Sequence, residues 1–290
     1  MKRLGTRLER WLSGSFPSAY YHWVQRPRIH FRFATERKLA AGEPLSSSQR
    51  RSLIFFTTQK CASRYVSGVI ATLAQAAGMM HADYDAYVSM VRMPKERNPF
   101  MAEGALAVAF KPRGFYYGPI GTFRHIPGLE QYALVLQLRD PRDMLTSLYY
   151  STKYSHAIIN PKVIRRRKEA YTLSIDEFVL KGADEYLPIY EEYCQQLLSQ
   201  PAMLLLKYED MVADFPDWLA RLSVHVGLAD QEETLERIKR QADFSIERED
   251  KFSHRRQISP GDHKRKLQPD TVQRLTTLFK PSLDQLDYPA

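Results

Sequence analysis

The sequence predicts an α/β fold: one domain in which a central, mainly parallel sheet is flanked by helices. Three observations predict it. Short apolar runs rich in strand formers recur at 52–57, 105–110, 132–138 and 202–206. The first and third lead through a polar turn into a stretch with helical spacing, and strands alternating with helices build parallel sheets. The 290 residues, 44 % of them hydrophobic, suffice for one large domain with a substantial core.

The elements follow in order. Residues 1–50 read as a basic lead-in packed on or beside the core. Leu4, Leu8, Trp11 and Leu12 fall at helical spacing among Lys2, Arg3, Arg7 and Arg10. That pattern reads as an amphipathic helix covering the core or a partner subunit. Contact with a membrane surface would be peripheral and confined to residues 1–12. The segment 41–51, with Gly42, Pro44 and three serines, reads as a linker. The domain proper then runs over 51–290. Its first strand, 52–57, has the continuous apolar run Leu53-Ile54-Phe55-Phe56, as a strand buried on both faces should. A helix follows over 65–79, with Val66, Val69, Ile70 and Leu73 on one side. Further helices are expected at 175–181, 186–199, 218–226 and 231–241, and a last one within 267–288. There is no internal repeat.

The net charge of +9 favours an anionic partner: nucleic acid, an acidic membrane surface or a phosphate-rich small molecule. No recognisable nucleic-acid motif is present, so nucleic acid is not expected as a partner. The two cysteines, Cys61 and Cys194, show neither disulfide nor zinc spacing, which suits a reducing cytoplasmic setting. No apolar h-region follows the basic N-terminus, and no run of about 18 apolar residues could cross a membrane.

Three segments bear the chemistry. The loop after the first strand, Thr57-Thr58-Gln59-Lys60-Cys61-Ala62-Ser63-Arg64-Tyr65, leads into a helix N-terminus. Backbone N–H groups and the helix dipole favour an oxyanion there, and Lys60, Ser63 and Arg64 add side-chain donors. It is not a nucleotide-triphosphate P-loop, which needs glycines before the lysine and Ser or Thr directly after it. After the third strand comes Arg139-Asp140-Pro141-Arg142-Asp143, with Ser147 eight residues beyond Arg139. Asp140 can cap a helix that Pro141 opens. The third segment is the dense basic loop 254–264, turning at Pro260-Gly261. A lid closing on a phosphate and a solvated loop both fit it.

In their order and spacing these segments resemble the PAPS-dependent sulfotransferase family, of a bacterial type divergent from the cytosolic hormone and phenol enzymes. That family has a lysine loop of the form PKSGTTW, an Arg with a Ser eight residues later, and a C-terminal loop of the form RKGxxGDWK. Here these places are taken by 59–65, by Arg139 with Ser147, and by 256–264; Leu206-Lys207-Tyr208-Glu209-Asp210-Met211 resembles the YED segment. The likeness spans roughly residues 52–288. It implies a P-loop-like sulfotransferase fold and transfer of a sulfuryl group from 3′-phosphoadenosine 5′-phosphosulfate (PAPS) to a hydroxyl or amine of a small-molecule or glycan acceptor. Adenosine 3′,5′-bisphosphate (PAP) would leave in an in-line displacement that needs no metal. The resemblance implies Lys60 as the catalytic cation, with Cys61, Ala62, Ser63, Arg64 and Tyr65 on the 5′ side of the donor. Arg139, Ser147, Arg255, Arg256 and Gln257 fall on the 3′-phosphate side, and Tyr65, Phe244 and Tyr208 around adenine. The sequence departs from the family in lacking the loop's proline and glycine, and in having Gln257 and Ile258 for Lys-Gly and His263 for Trp.

The general base is less plain. In the cytosolic relatives it is a His just after the strand taken here as 105–110, yet 111–117 contains neither His nor Glu. His125 is the nearest histidine before Arg139, and imidazole suits the task; Glu96 and Glu103 are alternatives. Tyr116, Tyr117, Tyr149, Tyr150, Tyr154 and His156 are expected around the acceptor. A P-loop kinase-like phosphotransferase and a basic nucleic-acid-binding protein remain competing readings. A homodimer is compatible with the sequence.

Overall fold

The structure, a computed structural model, describes residues 26–43, 45, 48–91, 105–155, 161–244 and 257–289. In chain order the elements are helices α1 (Arg26–Arg32) and α2 (Ala34–Ala40), strand β1 (Leu53–Thr57), α3 (Ser63–Ala76), β2 (Met80–Ala82), α4 (Tyr84–Val91), α5 (Ala105–Ala109), β3 (Phe115–Ile120) and β4 (Ala133–Leu138). Then come α6 (Pro141–Tyr150), continued by a π-turn over Ser151–Ser155, α7 (Pro161–Thr172), α8 (Ile175–Gln196), β5 (Met203–Lys207) and α9 (Tyr208–Ala213). The chain ends with α10 (Phe215–His225), α11 (Glu232–Gln241), α12 (Asp262–Lys266) and α13 (Pro269–Gln285). Among the described residues no helix is long and apolar enough to cross a membrane.

The five strands form one sheet in the order β2-β3-β1-β4-β5, and every pairing is parallel. From β1 the chain crosses to the edge strand β2 and returns through β3, which lies between β2 and β1; β4 and β5 then extend the sheet on the other side of β1. The reversal falls between β1 and β4, whose carboxyl ends therefore open a crevice where such sheets bind ligands.

Alternate residues of each strand serve opposite faces. Ile54 and Phe56 of β1 join a core with Leu134, Leu136, Tyr190, Tyr193 and Phe279, under α8 and α13. Leu53 and Phe55 join a second core with Val66, Ile70, Tyr116, Trp218 and Leu222, under α3 and α10. The result is helices, sheet, helices, with β1 wholly buried. The N-terminal part is seated on the first core: Phe33 and Leu39 are buried there, and the backbone N–H of Asp83 donates to Glu36. Residues 1–25 lie outside the described residues.

Two expectations are corrected. The run 105–110 is not a strand but a helix over Ala105–Ala109. Three of those five residues are alanine, the strongest helix former, and Val108 faces outward while Ala109 and Phe110 are buried. The strand it displaces is Phe115–Ile120, whose aromatic start is interrupted in the sequence by Gly118-Pro119. There β3 advances three residues, Tyr117 to Ile120, while β1 advances two, Ile54 to Phe56. This bulge accommodates a proline that has no N–H for the ladder. The second correction joins 175–181 and 186–199 into one helix, α8. It starts on a capping box in which Ser174 and Glu177 satisfy each other's backbone N–H. At its middle, Gly182 lets it approach Leu145 of α6, where an added Cβ would stand 2.9 Å from Leu145 Cδ2.

Gly118 has φ of +139°, and a Cβ there would meet the Phe55 carbonyl oxygen at 2.8 Å. Gly118→Ala is therefore expected to cost about 2–4 kcal/mol, read as a lowered denaturant midpoint in equilibrium unfolding. A midpoint equal to wild type would show that the bulge relaxes freely.

Candidate active site

The loop from β1 to α3 turns on two left-handed residues, Lys60 (φ 64°) and Ala62 (φ 58°). A side-chain-bearing residue in that region is disfavoured by roughly 1–2 kcal/mol, so the surroundings must hold the turn in place. They do so from below. Gln137 of β4 is fully buried; its Nε2 donates to the Cys61 carbonyl at 3.2 Å, and its Oε1 accepts from Trp218 Nε1 at 3.1 Å. Cys61 Sγ lies 3.0 Å from Thr58 Oγ1, and burial pushes its thiol up from the ordinary range. Ala62, at the helix N-cap, offers no side-chain acceptor to the amides of the first turn of α3. The loop thus presents an N-terminal helix turn, with Lys60, Ser63 and Arg64 around it, to the crevice.

Two tyrosines of α8 seal the strand ends from one side. Tyr193 Oη shares its one proton between the carbonyls of Thr57 and Ile120, each at 3.2 Å, and Tyr190 Oη donates to the Arg139 carbonyl at 2.7 Å. On the other side of the crevice Asp140 caps α6 by accepting from the Arg142 N–H at 2.9 Å. The Arg142 side chain grips the same carboxylate through Nε at 3.0 Å and Nη2 at 2.7 Å. It also donates to Thr276 Oγ1 and the Pro289 carbonyl, tying α6 to the C-terminal helix. Glu209 accepts from the Asp140 N–H and from Tyr288 Oη, and burial raises its carboxyl pKa.

Arg139 is thereby left facing the crevice, 3 % exposed. Its guanidinium lies 4.3 Å from the centre of the Tyr208 ring, and Nη2 is 3.6 Å from Asp143 Oδ2, beyond hydrogen-bonding range. Nε and Nη2 are buried with no hydrogen-bond acceptor among the described residues. Burial opposes the charge, but Tyr208, Asp143 and Glu209 more than offset it.

One cavity of about 360 Å³ joins these parts. Of the residues expected from sequence it is lined by Lys60, Ala62, Ser63, Arg64, Tyr65, Arg139, Ser147, Tyr208, Phe244 and Gln257. Tyr65 and Phe244 meet edge to face at 5.5 Å, and both rest on Phe215, at 5.9 and 5.2 Å. An aromatic wall thus stands in a cleft with Lys60 on the loop before α3, Arg64 in the first turn of α3 and Arg139 after β4. Such a cleft suits a planar ring bearing an anionic group at each end.

The remaining expectations fall elsewhere. Cys61 lies beneath its loop and does not line the cavity. His125 is exposed on the loop after β3, edge-on to Phe123 at 5.0 Å. Arg255, Arg256, Glu96, Glu103 and His156 lie outside the described residues. Tyr116 and Tyr117 are not acceptor-site rings: as β3 residues they are fully buried, with Tyr116 Oη donating to Ser67 and Tyr117 Oη accepting from the Lys111 N–H. Sequence reasoning missed Met211, Gln241, Asp243 and Ile258 in the lining. Each lies within three residues of a predicted one, but nothing in its own type signals a ligand. It also missed Gln137, whose signal was an amide inside an otherwise apolar strand. Among the described residues no cluster of three or more His, Cys, Asp or Glu could hold a metal ion.

A family model described as the sulfotransferase domain matches residues 130–287, more than half of the chain. Among solved structures, mouse sulfotransferase SULT7A1 complexed with PAP superposes with a TM-score of 0.52 at 13 % identity, covering 86 % of this chain and 88 % of that one. Retinol dehydratase in a complex with retinol and PAP gives 0.52 at 17 % identity, covering 89 % and 88 %. At these identities the likeness is one of fold. No curated protein matches the sequence.

Replacing Gln137 by Leu would leave the Cys61 carbonyl and the Trp218 indole N–H buried without partners. The expected loss is about 2–4 kcal/mol of stability, read by denaturant unfolding, with faster amide exchange over 58–62. Unchanged exchange there would show that the loop holds its shape without the β4 amide.

Proposed function

The chain belongs to the sulfotransferase domain family, and from that premise we propose that its donor is PAPS, bound in the cleft between the Lys60 loop and Arg139. The observation that supports this most is Arg139: a buried guanidinium facing a cavity with two N–H-bearing nitrogens that have no acceptor among the described residues. Buried charged donors are satisfied as a rule, and a 3′-phosphate supplies the missing oxygens. Ser147, one face of α6 further on, lines the same cavity and would donate to that phosphate; Arg255 and Arg256 are proposed to join it. Tyr65 and Phe244 would pack on the adenine and Tyr208 would contact its edge. We take residues 51–290 as the transferase domain. The two free, buried cysteines suit a cytoplasmic location.

The reaction is an in-line displacement at sulfur. A lone pair of the acceptor oxygen or nitrogen forms the new bond to sulfur while the bond from sulfur to the bridging oxygen breaks. The bonding pair stays on that oxygen, which leaves as part of PAP. Lys60 and the amides of the first turn of α3 would stabilise the charge that develops there. The acceptor's proton goes to a base, for which we propose His125. The cytosolic enzymes that the sequence resembles keep the base just after a strand; taking β3 as that strand puts the base in the loop 121–127, which includes His125. β3 is the hydrogen-bonded neighbour of β1, whose carboxyl end bears Lys60. The His125 loop is itself anchored: Asp85 accepts from the Gly121 N–H at 2.7 Å and pairs with Arg124, and Phe123 packs on Phe56 at 6.4 Å. The acceptor is a hydroxyl or an amine.

Lys60→Ala is expected to lower kcat by about 10²–10³ with the KM for PAPS close to wild type, because the charge it meets develops only as the bond to sulfur breaks and is absent from bound PAPS. His125→Ala should lower kcat by about 10²–10⁴. The assay is transfer from labelled PAPS to a panel of glycans, phenols, amines and guanidinium metabolites, with calorimetric titration of PAP alongside. Wild-type turnover by Lys60→Ala would remove it from catalysis. Tight binding of ATP with magnesium and none of PAP would overturn the donor assignment in favour of a kinase.

A further inference from the structure

His263 plays no part in the proposed chemistry, yet it is 2 % exposed and tied to the donor site at one remove. Its partner is Asp143, one turn along α6 from Arg139. Asp143 Oδ1 accepts from His263 Nδ1 at 2.6 Å and from the His263 backbone N–H at 2.8 Å; Oδ2 accepts from the Gly261 N–H at 2.7 Å. Although burial opposes it, these hydrogen bonds and the Arg139 charge hold the Asp143 carboxyl well below the usual carboxylate range. An ionised carboxylate only accepts, so Nδ1 bears the imidazole proton.

The same carboxylate stands opposite Arg139 at 3.6 Å. Arginine and carboxylate left to themselves close to a two-pronged contact at about 2.7–2.9 Å. That contact would occupy the donors that now face the cavity. Three donors from 261–263 hold Asp143 back from it. Tyr208, whose ring covers the guanidinium, also donates from Oη to the Ile258 carbonyl at 2.8 Å. The segment 257–263 is thus fastened to both side chains that frame Arg139.

We propose that His263 is a positioning residue for recognition of the donor's 3′-phosphate: it fixes Asp143 so that Arg139 keeps its N–H groups for the phosphate rather than for a salt bridge. The inference rests on the reading of Arg139 as the 3′-phosphate residue. It also gives a chemical reason for an imidazole at this place, since the Nδ1–H must reach an acid that is otherwise buried.

The test compares PAP with 5′-AMP, which differs only in lacking the 3′-phosphate. In wild type PAP should bind more tightly. His263→Gln should lose about tenfold or more of that preference, with AMP affinity little changed. His263→Asn, whose side-chain amide matches the Nδ1–H, should restore it. A merely structural role would weaken both ligands together or lower only the melting temperature. A second readout uses the unaltered protein. Coupling is reciprocal, so PAP should slow amide exchange at Gly261 and His263 more than saturating AMP does. Equal slowing by the two nucleotides, or full preference for PAP in His263→Gln, would overturn the proposal. A wild type that binds both equally would instead overturn the donor reading beneath it.

Discussion

The crevice is built around one buried cation, Arg139, two of whose nitrogens have no hydrogen-bond acceptor among the described residues. Taking the Arg139 guanidinium out of water costs several kcal/mol after relaxation, and the chain recovers this from its surroundings. The Tyr208 ring lies against it, Asp143 stands at 3.6 Å, and Tyr190 fixes its backbone carbonyl. None of these satisfies Nε or Nη2. A protein that merely needed stability would close the gap with a salt bridge or put an apolar side chain there. Around the crevice stand the Arg142–Asp140 fork, Glu209 bridging the Asp140 N–H to Tyr288, and the 261–263 donors on Asp143.

The sheet explains why this cation and Lys60 meet. β1 and β4 are neighbours whose connections leave in opposite directions, so the loops after them flank one crevice. Gln137, at the end of β4, reaches across to the Cys61 carbonyl and couples the two loops beneath the floor of the cleft. The loop after β1 is thus tied to the strand that leads into Arg139.

The residues that line the cavity were more legible in the sequence than the sheet was. The strand, loop and helix around Lys60 are local, and the fixed spacing of Arg139 and Ser147 follows from one helix capped by Asp140. Both could be read from residues close together in the chain. The strand 115–120 could not, because Gly118-Pro119 signals a turn; only the bulge against β1 lets it stay in the sheet. Alanine-rich 105–109 looked apolar enough for a strand, and the burial of Ala109 but not Val108 was invisible without its neighbours. That slip also set the comparison with relatives at 111–117 rather than at the loop after β3. Gln137 and the Asp143–His263 contact were hidden for another reason. They bridge positions 76 and 120 residues apart, and no periodicity reports such pairs.

The account stands most directly on where PAP sits. A crystal structure of the chain with PAP should place the 3′-phosphate within hydrogen-bond reach of Arg139 Nε and Nη2 and of Ser147. The 5′-phosphate should rest on the turn from Lys60 to Tyr65, with the adenine against Tyr65 and Phe244. A nucleotide bound elsewhere, or one whose 3′-phosphate leaves Arg139 untouched, would contradict it.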